Sequence, residues 1–230
     1  MPDSTATAVI AAAGSGERLG AGGPKAYVQF GDRPMLAWSL IAADAAERVG
    51  QIVIAAPPGG EDHAEEVAEQ AGVEARAVRG GEHRSQSVAL ALEHAEHGLV
   101  VVHDAARPLA TAALFDEVVS RLDSDADIAA VIAAAPVTDT IKEASRGRRV
   151  LRTPERSSLW AVQTPQAFRT EALRDAVAAH ADELGSVTDD AMLVERSGGQ
   201  VLIHEASPEN LKVTTPLDME VAQLLLARRG

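Results

Sequence analysis

Five apolar residues, Val9 to Ala13, run without interruption and stop at Gly14. A short, continuously apolar segment that empties into glycine is the pattern of a strand buried on both faces, and hence of a parallel sheet covered by helices. The stretch that follows, as far as Lys25, carries glycines at 14, 16, 20, 22 and 23, together with Arg18 and Lys25. Glycines let backbone N–H groups turn toward an anion, and two cations add fixed positive charge, so the loop suits a polyphosphate ligand.

Spacing separates the readings of this loop. A P-loop requires Gly-Lys-Ser/Thr, but Pro24 precedes Lys25 and Ala26 follows it, so no hydroxyl stands where magnesium would be held. A dinucleotide fingerprint places a third glycine where this chain has Leu19, and an acidic residue after the second strand, where it has Ala55-Ala56-Pro57-Pro58. That reading keeps only weak support, as does a functionless flexible connection, whose entropy cost is rarely met without a use. A nucleoside-triphosphate loop of a different kind is the reading that spacing favours.

Downstream, strands alternate with helices. The pattern predicts helices over 35–47 and 61–71, strands over 51–56 and 74–78, and a helix from Arg84 with Val88, Leu90, Ala91 and Leu92 facing inward. It also predicts a strand over 99–102 that ends in His103-Asp104, and a helix with Leu114, Val118, Val119 and Leu122 on one face. A strand follows over 128–135, and a last helix starts at Thr215-Pro216 and closes on Arg228-Arg229. The expected architecture is α/β, Rossmann-like, with a mostly parallel sheet, helices on both faces and ligands outside the carboxyl ends of the strands. One segment departs from it: 137–159 reads as two exposed ribbons joined at Ser145-Arg146-Gly147, a projecting β-arm. At 230 residues with no linker-like stretch, 1–230 is read as a single domain.

Composition narrows the function classes. A formal net charge of −13 argues against nucleic acid as a partner. Cysteine is absent, which excludes disulfides and thiolate chemistry, and no apolar run approaches a membrane span or the core of a signal peptide. A cytoplasmic location is the expectation. Lysine is almost unused: Lys25, Lys142 and Lys212 are the only ones, the other cations being arginine. A compact ammonium on a flexible stem is a movable point charge for phosphate oxygens, and chance placement of so scarce a residue is the plain alternative.

The loop Ala12-Ala13-Gly14-Ser15-Gly16-Glu17-Arg18-Leu19-Gly20 with Pro24-Lys25 resembles the signature loop of nucleotidyltransferases that join a nucleoside triphosphate to a sugar or polyol phosphate. Gly80 to Val88, His103 to Pro108, Ala135 to Lys142, Gln163 to Gln166, Thr188-Asp189-Asp190 and Asn210 to Thr214 follow in the order seen in the 2-C-methyl-D-erythritol 4-phosphate cytidylyltransferase family. The resemblance runs from about Thr7 to the last helix. It implies transfer of the cytidylyl group of CTP to a polyol phosphate and a homodimer whose β-arm crosses to the partner. Ribitol-5-phosphate cytidylyltransferases share much of the pattern. A non-catalytic nucleotide-binding regulator is a third alternative, which the presence of Arg18, Lys25, Asp104 and Lys212 argues against.

By that resemblance Arg18 and Lys25 stabilise the transition state, and Arg156 and Lys212 steer the substrate phosphate with Thr188 beside them. Ala12, Ala13, Gly14, Ser15, Gly16, Gly80, Gly81 and Ser87 complete the nucleotide site, and Ala105, Arg107 and Thr140 join the substrate side. Asp104 is expected to serve both ligands and to hold Mg²⁺, since a carboxylate at a strand end beside phosphates is what this cation uses. Arg107 is read as a partner of Asp104 or a substrate contact. Ordinary readings stand beside these: Thr188 as a helix N-cap, Arg156 as a surface arginine, Asp104 as a turn residue. A phosphate monoester is already an anionic nucleophile, so no general base is required of His103. His94 and His97, read as sharing a helix face, lack a third metal ligand.

Overall fold

The computed structural model describes residues 5–14, 16 and 23–229. In chain order the strands are β1 (Ala6–Ala11), β2 (Gln29–Phe30), β3 (Arg33–Pro34), β4 (Val49–Ala56), β5 (Arg76–Arg79), β6 (Leu99–Asp104), β7 (Ala130–Pro136), β8 (Glu143–Ala144), β9 (Val150–Arg152), β10 (Trp160–Arg169) and β11 (Val201–Glu205). The helices are α1 (Met35–Asp44), α2 (Glu61–Gln70), α3 (Arg84–Leu92), α4 (Ala112–Asp123), α5 (Thr170–Ala179), α6 (Ala191–Arg196) and α7 (Pro216–Ala227). Seven strands form one sheet in the order β11-β7-β10-β6-β1-β4-β5. All neighbours are parallel except β10, which runs antiparallel between β6 and β7.

The apolar strands are buried on both faces, and their period of two divides them between two cores. Ala8 and Ile10 of β1, Ile54 of β4 and Val101 of β6 face α1, α2 and α4, against Leu36, Leu40, Val67, Phe115 and Val118. Val9, Val53, Val100 and Val102 point the other way and pack with Val88 of α3, Leu173 of α5 and Leu193 of α6. A smaller cluster of Phe30, Met35, Leu109, Val213 and Ala222 docks α7 over the loop that follows β6. Helices on both faces leave the carboxyl ends of β1, β4 and β6 open at one edge.

Most expected elements lie within a few residues of their predicted bounds, and the differences have local causes. Helix α1 ends at Asp44 rather than 47, with Pro34 at its N-cap position. Leu90 is 39% exposed: of the residues expected to face inward from α3, Val88, Ala91 and Leu92 do so. His94 and His97 lie beyond the end of α3, so they do not share a helix face. Within 137–159, β8 and β9 pair antiparallel across a turn in which Arg149 O accepts from Ser145 N–H. Ile141, Val150 and Leu151 of this segment are exposed. Among the described residues no helix is long and apolar enough to cross a membrane.

His103 sits fully buried on β6, its ring 5.1 Å from that of Phe115. Its Nδ1 lies 3.1 Å from Thr164 Oγ1 and its Nε2 3.3 Å from Arg107 O. Burial, with Arg107 and Arg84 nearby, outweighs the Asp104 carboxylate and pushes its pKa down to about 4. Between pH 6.5, where the unfolded chain gains this proton, and about 4, the folded chain does not take it up, so stability falls as pH is lowered through that window. In magnesium-free buffer, urea unfolding at pH 7 and 4.5 is expected to show the wild type losing about 2 kcal/mol more than His103→Gln. Equal losses in the two proteins would remove this account.

Candidate active site

Two glycine-rich loops meet above β1 and β4. Backbone pairing carries β1 one step further, Ala12 N–H donating to Ala55 O (3.0 Å), and then the chain turns away. Gly16 has φ +75°, and a side chain there would meet Gly23 O and Lys25 N at 2.8 Å, so this close approach requires glycine. Lys25 then opens a single helical turn to Tyr27. Gly80 passes beneath this loop: its N–H donates to Ala56 O (2.7 Å), and a Cβ would lie 2.7 Å from Ala13 Cβ. Ser87 braces the second loop, its hydroxyl accepting from Gly81 N–H (3.1 Å) and donating to His83 O (2.9 Å).

Between the loops lies a cavity of about 340 Å³, and Ala13, Gly14, Lys25, Gly81, Ser87, Asp104 and Lys212 of the expected site residues line it. A second cavity of about 280 Å³ adjoins it, lined by Arg107 and Thr188 with Gln163, Thr164, Gln166 and Asp189. Arg84, Asp104 and Lys212 line both. Ala12 and Ala105 are buried and line neither; Ala105 N–H donates to Ala11 O and continues the pairing of β1 with β6. Ser15 and Arg18 lie outside the described residues.

Lys212 is brought to the site by a buried bracket. Arg107 Nη1 donates to Asn210 O (2.8 Å) and Nη2 to Val162 O (3.2 Å), while Asn210 Nδ2 donates to Gln163 Oε1 and Thr164 O (both 2.9 Å). Arg107 is therefore not the partner of Asp104. Its guanidinium is spent on carbonyls that lock the segment after β11 against β10. Asp104 is instead held by Arg84 Nε at Oδ1 and Lys212 Nζ at Oδ2, each 2.6 Å. Burial pushes the Asp104 carboxyl up, but Arg84 and Lys212 outweigh it and hold it well below the usual carboxylate range. Arg84 also donates through Nη1 to Asp190 Oδ2 at 2.6 Å. Burial works against the Arg84 charge, and the two carboxylates overcome it, raising its pKa above the ordinary arginine value.

Arg84 and Asp190 are the residues that sequence reasoning passed over. Both lie inside motifs, but an arginine at a helix start and an aspartate before a helix have ordinary explanations. The helix-capping role suggested for Thr188 falls to Asp189, whose Oδ1 accepts from Met192 N–H (3.1 Å), and Thr188 lines the second cavity. Thr140 and Arg156 lie elsewhere, in a cavity of about 600 Å³ on the arm with Ile141 and Trp160; there Arg156 Nη1 donates to Thr138 O (2.9 Å). Lys142 also stays on the arm, donating to Thr153 Oγ1 (2.7 Å).

Among the described residues no group of three or more His, Cys, Asp or Glu side chains is placed to hold a metal. A protein cage for a cation is therefore not formed by them. One carboxylate together with phosphate oxygens of a ligand is a donor set that Mg²⁺ accepts, and Asp104 is the carboxylate at this place, each of its oxygens already accepting from a cation.

The family model for 2-C-methyl-D-erythritol 4-phosphate cytidylyltransferase matches residues 6–228. A protein of that description from Frankia casuarinae is 45% identical over 224 residues, covering 96% of this chain and 81% of its own. One from Parasynechococcus marenigrum is 42% identical over 225 residues, covering 96% and 97%. The crystal structure of the 2-C-methyl-D-erythritol 4-phosphate cytidylyltransferase from Thermus thermophilus superimposes with a TM-score of 0.78 at 33% identity, over 97% of this chain and 99% of that one. The likeness to known relatives thus extends along nearly the whole length of the chain, and the chain belongs to the 2-C-methyl-D-erythritol 4-phosphate cytidylyltransferase family.

Proposed function

We infer that this chain transfers the cytidylyl group of CTP to 2-C-methyl-D-erythritol 4-phosphate, giving 4-diphosphocytidyl-2-C-methyl-D-erythritol and pyrophosphate, a step of isoprenoid-precursor synthesis by the non-mevalonate route. The family match carries the reading, and the seam of Arg84, Asp104 and Lys212 between two adjoining cavities gives it a place. An oxygen of the polyol phosphate forms a bond to the α-phosphorus of CTP. The bond from that phosphorus to the bridging oxygen breaks, and its electron pair leaves on pyrophosphate. Both reactants are anions, so the protein's task is to neutralise repulsion, hold attacker and leaving group in line, and stabilise charge on the α-phosphoryl oxygens.

Lys25, in the first cavity, and Arg18 supply positive charge to the triphosphate as it reacts. Lys212, shared by both cavities, meets the acceptor phosphate, with Thr188 beside it and Arg156 as a further cation. The acceptor oxygen is already ionised, which leaves His103 without a proton to move. Asp104 with the phosphate oxygens would hold Mg²⁺, which supplies charge neutralisation when bound. Ala13 and Gly81 line the first cavity, with Gly80 close against Ala13, and are read as the part that receives the pyrimidine. Arg156 and Thr140 line a cavity on the arm, apart from Lys25 and Lys212. Exposed Ile141, Val150 and Leu151 there support a homodimer in which the arm reaches the partner's site. An acidic, cysteine-free chain supports a cytoplasmic location.

Purified protein is expected to release pyrophosphate only with CTP, Mg²⁺ and 2-C-methyl-D-erythritol 4-phosphate together; faster turnover with ribitol 5-phosphate would reassign the acceptor. Lys25→Ala should lower kcat on the order of 100-fold while CTP affinity changes much less. A loss confined to apparent CTP affinity would make Lys25 a ground-state contact. Arg156→Ala and Lys25→Ala should each be nearly inactive alone. Refolded together, with about half the dimers mixed and one site of each intact, they should regain up to roughly a quarter of wild-type activity. Mixed dimers confirmed by mass but no more active than the separate controls would place Arg156 in its own chain's site or in none.

A further inference from the structure

Arg84, at the seam of the two cavities, is tied down by a group that takes no direct part in cytidylyl transfer. Asp190 is fully buried at the N-cap position of α6, yet its side chain makes no capping bond there, since Asp189 already accepts from Met192 N–H. Its Oδ2 accepts from Arg84 Nη1 (2.6 Å), and its Oδ1 has no hydrogen-bond partner among the described residues. A buried carboxylate with one unsatisfied oxygen is costly, and what it provides in this structure is an anchor for the Arg84 cation.

Arg84 spans two carboxylates, with Nε on Asp104 Oδ1 and Nη1 on Asp190 Oδ2, both 2.6 Å. Two of the five guanidinium N–H groups are thereby committed. The rest belong to a side chain that is 23% exposed where both cavities meet. Anchored by Asp104 alone, a long cation would follow whichever phosphate entered either cavity, and ordering it during the reaction would cost free energy. Anchored at both ends it is a fixed donor, and it fixes Asp104 in turn.

We propose that Asp190 is a positioning residue for cytidylyl transfer: through Arg84 it sets the place of the Asp104 carboxylate and of the uncommitted guanidinium N–H groups at the seam between the nucleotide and acceptor cavities. The proposal rests on the cytidylyl-transfer reading of this site. It is tested with Asp190→Asn, which keeps volume and an acceptor oxygen but removes the charge, in the wild-type and Arg84→Met backgrounds. Kinetics with CTP and 2-C-methyl-D-erythritol 4-phosphate, and melting temperature, are measured for each protein.

Asp190→Asn is expected to lower kcat on the order of ten-fold or more while KM for CTP stays within about three-fold. In the Arg84→Met background the same change should add less than about two-fold, because its route to the reaction is already gone. Asp190→Glu, which keeps the buried charge but shifts it by one methylene, should show the same split and decides the matter if Asp190→Asn does not fold. Lowered melting temperature with unchanged kcat, or a full additional loss in the Arg84→Met background, overturns the positioning role. Absence of turnover by the wild type overturns the assigned reaction and this inference with it. Wild-type turnover matched by the Asp190 variants overturns the inference alone.

Discussion

Asp104 is the point on which the site depends. It closes β6, is almost fully buried, and has one cation on each oxygen, Arg84 from α3 and Lys212 from the segment after β11. Three parts of the chain far apart in sequence are thus drawn to one strand end. Such a network is a poor device for stability: apolar replacement of buried ion pairs is often neutral, whereas removing one partner costs about 3–5 kcal/mol. Its value lies in holding charges of both signs where phosphates must be received. Reorganisation that would otherwise accompany the reaction is done during folding.

The scaffold makes this precision possible by simple means. Ala, Val and Ile on β1, β4, β6 and β7 allow helices to close on both faces, leaving ligands only the edge where the strands end. Antiparallel β10, inserted between β6 and β7, carries Val162, Gln163 and Thr164 to that edge. There they grip Arg107 and Asn210, and through Asn210 they fix the approach of Lys212. The bracket is buried and the lysine it delivers is not, a division between rigid support and a reachable charge.

The arm follows different physics. Its two short strands contribute nothing to either large core, and their apolar side chains stand in solvent. Arg156 donates there to Thr138 O, on the same lightly packed ribbon.

Much of this was legible in the sequence, because it rests on local rules. The apolar runs marked buried strands, the alternation of periods marked an α/β sheet, and the glycines between Gly14 and Lys25 marked a loop suited to an anion. Spaced motifs named the family and brought Lys25, Asp104 and Lys212 forward. The tertiary structure alone decided who partners whom. Arg107, read as a partner of Asp104 or a substrate contact, lines the second cavity and binds carbonyls of Asn210 and Val162, while Arg84, twenty residues before Asp104, is the arginine that pairs with that carboxylate. Asp189 and Asp190 are adjacent and chemically identical, yet one caps α6 and the other anchors a cation. Pairings across long sequence separation depend on how helices seat against the sheet, and side-chain type along a chain carries no record of that seating.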